Sequence, residues 1–71
     1  MIARTVAQLE RDLARAAEAS ERAAFARAAL PPGSSRARVT SANARWMRKA
    51  EARDRIAAEL DAARQAEGGA V

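Results

Sequence analysis

Between Glu21 and Glu51 the chain carries no acid, yet seven cations fall in that window: Arg22, Arg27, Arg36, Arg38, Arg45, Arg48 and Lys49. Guanidinium and ammonium groups gathered without counter-ions are suited to phosphate or carboxylate partners. The flanks run the other way. Residues 1–21 hold three arginines against four acids, and residues 51–71 hold three against five. The formal net charge of +4 therefore comes entirely from the middle.

Ser34-Ser35-Arg36-Ala37-Arg38 is the most suggestive short segment in that window. At a helix start, two hydroxyls, two guanidiniums and unpaired backbone N–H groups would suit a phosphate. The plainer role is a cap with solubilising charge. Gly33 alone does not make a phosphate loop. Arg45 and Lys49 lie four apart, with Arg38 one heptad earlier, so like charges share a face at some cost in helix stability. Glu18–Arg22 and Glu51–Arg55 are ordinary stabilising pairs at the same spacing. Repulsion tolerated in one stretch and relieved in others points to an anionic partner for that stretch.

Other chemistry finds little support. The chain has no histidine, cysteine or tyrosine. Ser34 and Ser35 have no neighbouring base to activate them. No metal-ligand motif, cofactor motif or small-molecule substrate site is visible, and the expectation is a protein that is not an enzyme and takes no cofactor. Trp46 is the single tryptophan. It serves either as a core anchor or as an exposed ring among Arg45, Arg48 and Lys49 that stacks on a base or fills a partner's pocket.

These residues must be positioned by helices. Alanine dominates the composition, and Ala, Arg, Glu and Leu are strong helix formers. Ile2, Val6, Leu9, Leu13, Ala16, Ser20, Ala23, Arg27 and Leu30 alternate four and three, a heptad seam that predicts a first helix over about 2–29. Pro31 stops it, and Pro32-Gly33 predicts a turn over 31–34. Ser34 or Ser35 is expected to cap the second helix, with Thr40 or Ser41 as later starts. Val39, Ala42, Trp46, Lys49, Arg53, Ile56, Leu60 and Ala63 form its seam over about 35–67. Gly68-Gly69 is expected to end it and leave a flexible tail, 68–71.

The expected fold is all-α, one domain, an antiparallel coiled-coil-like hairpin. A bend centred on Gly33 pairs Ile2 with Ala63, Val6 with Leu60, Leu9 with Ile56, Leu13 with Arg53 and Ser20 with Trp46. Arg53 in an apolar seam would cover Leu13, pair with Glu10 or Asp12, or reach a partner. Beside the seam lies a second stripe, with Ala3, Ala7, Ala14, Ala17, Phe25 and Ala28 on the first helix and Met47, Ala50 and Ala57 on the second. Phe25, Met47, Ala14, Ala17 and Ala28 are the expected association face of a homo-oligomer, a four-helix arrangement, or a face for another protein. Small chains without disulfides or metal sites need such support.

No apolar run is long enough for a signal peptide or a membrane span, and the apolar faces are too lean for a surface-bound helix, so the expected location is cytoplasmic without membrane contact. Two functions follow. In the first, a self-associating hairpin contacts the phosphate backbone of nucleic acid through its bend, with Arg36, Arg38, Arg45, Arg48 and Lys49 leading, Arg27 and Arg22 supporting, and Ser34 and Ser35 at the turn. The alternative is a protein–protein adaptor or small regulatory or assembly subunit whose basic end docks on an acidic protein surface.

Overall fold

The computed structural model describes residues 4–69. Two helices make up the fold: α1 (Val6–Ala28) and α2 (Arg36–Gly69), packed along each other as a helical hairpin. The rod measures 57 × 19 × 17 Å, and no strand occurs among the described residues.

Helix α1 begins at Val6, four residues later than the heptad pattern predicts. Thr5 is its N-cap, in extended conformation. The Gln8 N–H donates to Thr5 Oγ1 at 3.1 Å, and the Thr5 N–H donates to Gln8 Oε1 at 2.9 Å. This capping box satisfies two otherwise orphaned donors and sets the start. Ile2 and Ala3, assigned to the seam and the second stripe, lie outside the described residues.

The bend follows the expected chemistry. Pro31 ends the run, and the Ala29 N–H closes the last turn on Phe25 O at 2.9 Å. Pro31 to Ser34 forms a reverse turn, with the Ser34 N–H donating to Pro31 O at 3.2 Å. Pro32 and Gly33 occupy the central positions, and Gly33 has φ +84°, the signature of a type II turn. Of the two serines, Ser35 caps α2: its hydroxyl accepts from the Arg38 N–H at 3.2 Å, and its carbonyl accepts from Val39 N–H at 3.1 Å. The Ser34 hydroxyl donates to Pro31 O at 2.7 Å. At the far end α2 runs through Gly68 and Gly69, two residues beyond the expected stop. Ala70 and Val71, the rest of the predicted tail, are outside the described residues.

Seam faces seam, but the register differs from the one a bend centred on Gly33 implies. Ser20 meets Arg53 rather than Trp46, with Arg53 Nη1 donating to Ser20 Oγ at 3.3 Å. Trp46 lies instead with Arg27. Both pairs are shifted by one heptad. The connection fits this shift: Leu30 lines one groove with Ser35, Ala37, Arg38, Ser41 and Ala42 of the following segment. The first turns of α2 thus project past the end of α1, and residues 36–41 are all exposed. Val39 belongs to the seam by periodicity, yet it is exposed because no part of α1 lies opposite it.

Leu9, Ala23 and Leu60 are the buried apolar side chains among the described residues, joined by Ser20 at 2% exposure. Val6, Leu13, Ile56 and Ala63 are half-buried around them. A Cβ on Gly33 would meet nothing within 4 Å, so its replacement strains only the backbone. Gly33→Ala is expected to cost about 1 kcal/mol through positive φ alone, whereas Leu60→Ala is expected to cost about 2–5 kcal/mol. Urea unfolding followed by circular dichroism measures both; equal effects would show that the turn, not the seam, limits stability.

Candidate anion-binding site

The site grows from the spacing of cations on α2. At about 100° per residue, Arg38, Arg45 and Lys49 fall within roughly 40° of one another. They border one side of the seam. On α1 the matching border is formed by Ala19, Arg22, Ala23 and Ala26. The two borders enclose a shallow interhelical groove. Its bend half is lined by Ala26, Leu30, Ser35, Arg38 and Arg45, and its middle by Ala19, Arg22, Ala23, Ala26, Arg45 and Lys49. Ala26 and Arg45 belong to both halves, so the groove is continuous. Alanines make its floor and guanidiniums and an ammonium make its rim.

Pairing along the rod is uneven. Arg11, Arg15 and Arg55 form no ion pair among the described residues, Arg55 despite Glu51 at the expected spacing. Arg22 is held by Glu18 one turn before it. Arg64 reaches Glu10 at 3.5 Å, and Arg53 bonds Asp54 at 3.0 Å. Near the open end Arg4 Nη1 donates to Asp12 at 2.8 Å, and Nη2 donates to Glu59 at 2.6 Å. These bonds, first that to Asp12, raise the Arg4 guanidinium above its ordinary value. Arg36, Arg38, Arg45, Arg48 and Lys49 have no carboxylate within 4 Å among the described residues, and all five are exposed. Arg36 and Arg38 also stand in the first turn of α2, where no acid is present. The helix dipole is positive there and disfavours cations. A bound anion would relieve both that and the mutual repulsion of Arg45 and Lys49.

The structure sorts the nine expected contact residues. Arg38, Arg45, Lys49 and Arg22 line the groove. By helical position Arg48 stands on the outer edge of the same side, and Arg36 turns to the opposite flank. Arg27 is drawn away: its guanidinium carbon sits 4.6 Å from the centre of the Trp46 ring. That contact covers a half-buried Trp46 and favours the core-anchor role over a free stacking platform. Ser34 and Ser35 spend their hydroxyls on the turn and the cap, which weakens the phosphate-cradle reading of that segment. Arg53 neither covers Leu13 as its main contact nor pairs with Glu10 or Asp12, but bonds Ser20 and its neighbour Asp54.

The spacing of Arg38, Arg45 and Lys49 already puts them on one face; which side of the seam that face borders, and that Arg36 stands on the other, needs the two helices together. The Thr5-Val6-Ala7-Gln8 capping box was also present in the sequence.

Fold and groove together define a helical hairpin with a one-sided basic face. Searches of protein-family models, curated proteins and solved structures find no match to this chain. No helix among the described residues is long and apolar enough to cross a membrane.

The Arg27–Trp46 contact makes a separate test. Arg27→Ala is expected to cost about 0.5–1 kcal/mol, as for a partly exposed cation–π pair, and to red-shift Trp46 emission as the ring gains water. Unchanged emission would place Trp46 in solvent from the outset.

Proposed function

We propose that the protein is a non-enzymatic, cytoplasmic nucleic-acid-binding hairpin that grips the phosphate backbone with the groove side of its bend half. One observation carries the reading: Arg36, Arg38, Arg45, Arg48 and Lys49, five consecutive cations of α2, have no carboxylate partner among the described residues, while Arg4, Arg22, Arg53 and Arg64 each hold at least one. Arg38, Arg45 and Lys49 would form the core of the contact, Arg48 would extend it, and Arg22 would join by exchanging Glu18 for phosphate.

The type of contact follows from what the groove offers. Its floor is alanine, so it presents neither an aromatic platform nor amide side chains for reading base edges. Binding would be electrostatic, tolerant of sequence and driven by release of counter-ions. Guanidiniums spaced along a helix match a row of phosphates better than a single small anion, because the charges are strung out rather than convergent.

Titration of a labelled duplex and a labelled single strand against the protein at several salt concentrations tests this. Affinity should fall steeply with salt, and each of Arg38→Ala, Arg45→Ala and Lys49→Ala should reduce the slope of log K against log salt by about 1. Arg64→Ala, at the open end, should leave that slope unchanged. Absence of binding to either strand type at low ionic strength overturns the proposal and turns attention to an acidic protein surface as the partner.

A further inference from the structure

The side of the rod away from the groove has a different character. By helical position it carries Phe25, Ala17 and Ala28 from α1 and Met47, Ala50 and Ala57 from α2. Phe25 is 76% exposed and Met47 53%, the two largest apolar side chains left open to water among the described residues. The observed register sets them at nearly the same height, since the neighbouring positions Ala23 and Ala26 lie across from Arg45 and Lys49. The alanines between them keep the surface low, so another helix pair can approach closely. Meanwhile the hairpin's own core holds few fully buried apolar residues, a condition that small folds ordinarily remedy by association.

Charge on this flank identifies what covers it. Arg36 lies toward the bend, and Asp54 and Asp61 lie toward the open end, all exposed; within the hairpin Asp54 accepts from Arg53 at 3.0 Å and Asp61 from Gln65 at 3.2 Å, each with a second carboxylate oxygen left for a further cation. Measured along α2 at about 1.5 Å per residue, Arg36 stands about 16 Å on one side of Met47. Asp54 stands about 10 Å and Asp61 about 21 Å on the other. If a second copy is laid on this face with its rod reversed, about a two-fold axis at the height of Phe25 and Met47, Arg36 of each copy falls between Asp54 and Asp61 of the other. The aromatic and thioether groups meet at the axis. Laying the rods side by side in the same direction would instead bring Arg36 to a bend whose flank has no carboxylate. The flank is therefore complementary to itself in one orientation, as an isologous interface requires.

We propose that two copies of this chain form an antiparallel four-helix dimer through the Phe25–Met47 flank, α2 packing on α2 and α1 on α1, with Arg36 of each copy bridging Asp54 and Asp61 of the other. Burying Phe25 withdraws on the order of 150 Å² of mostly apolar surface per copy, which supplies association energy the charges alone do not. The two basic grooves are left facing outward on opposite sides of the dimer. The inference does not depend on what the grooves bind.

Sedimentation equilibrium of the full chain without nucleic acid tests the proposal apart from the binding reading. The wild-type chain should sediment as a dimer. Phe25→Glu combined with Met47→Glu should raise the dissociation constant by at least about tenfold, or about 1.4 kcal/mol. Loss of helix together with loss of the dimer in that variant counts for the proposal, because neither side chain packs inside a single hairpin. Arg36→Glu should weaken the dimer, and adding Asp54→Arg and Asp61→Arg should restore it. Met47→Cys, near the axis, should oxidise to a disulfide-linked dimer, whereas Arg36→Cys should not. A monomeric wild type overturns the proposal, as does a dimer indifferent to the Phe25 and Met47 changes. Charge reversal without restoration, or ready cross-linking through Arg36→Cys, overturns the antiparallel arrangement.

Discussion

The burial of Ser20 and Ala23 in the seam between the two helices decides how everything else in this molecule is arranged. Both side chains are small and both are buried, at 2% and 7% exposure. Small residues let the backbones come together where larger ones would hold them apart. The opposing positions must then be filled by long side chains that reach in from the edge. Arg53 does so with its guanidinium on the Ser20 hydroxyl, leaving that buried oxygen satisfied. Arg27 and Trp46 do so by stacking across the seam. A polar seam contact of this kind contributes modest energy but discriminates between registers, because a shift of one heptad would strand the Ser20 hydroxyl against an indole.

Register in turn determines where the charges come to rest. Helix α2 projects beyond α1 at the bend, so its first cations extend into open solvent, and the next ones flank the seam on a single side. Arg4 completes the division at the other end. By bonding both Asp12 and Glu59 it offsets half the charge of two acids of the groove side with one guanidinium. Of the acids that escape such pairing, Glu21 and Asp61 lie on the flank with Phe25 and Met47. A rod that is basic at one end is thereby also basic along one side. Two different surfaces, one suited to an anion and one to a close-packed helix pair, can then be used at once without competing.

Periodicity and turn chemistry made the hairpin legible in the sequence. Two uninterrupted heptad seams separated by Leu30-Pro31-Pro32-Gly33 leave few other folds open, and the Gly33 turn formed where its residue types require. The register was not legible in the same way. Sliding one heptad seam past another by seven residues keeps apolar against apolar, so the hydrophobic pattern is blind to the slip. The register seen here goes with the Ser20–Arg53 and Arg27–Trp46 contacts and with the path of residues 29–35, neither of which the apolar pattern encodes. The start of α1 was legible and outweighed: the seam extends back to Ile2, but the reciprocal Thr5–Gln8 bonds stop the helix at Val6. For the site, residue types identified the cations correctly as an exposed group. Only the fold could separate Arg27, spent on Trp46, from Arg38 and Arg45, which line the groove.

The arrangement at the bend runs against the hairpin's own stability. Cations in the first turn of α2 oppose the helix dipole, and Arg45 and Lys49 repel each other one turn apart. Each effect amounts to a few tenths of a kcal/mol up to about 1 kcal/mol, not trivial for a fold with so little buried apolar surface. Helix α1 places Arg27 in its last turn, where the dipole favours it, and bonds Glu18 to Arg22, although Arg11 and Arg15 repeat the like-charge spacing. What is peculiar to the bend is the pair of cations in the first turn of α2. Local strain of this sort is relieved by whatever brings negative charge to the groove, and that relief adds to the binding energy. The same cations that weaken the isolated hairpin would thus strengthen the proposed contact with a polyanion.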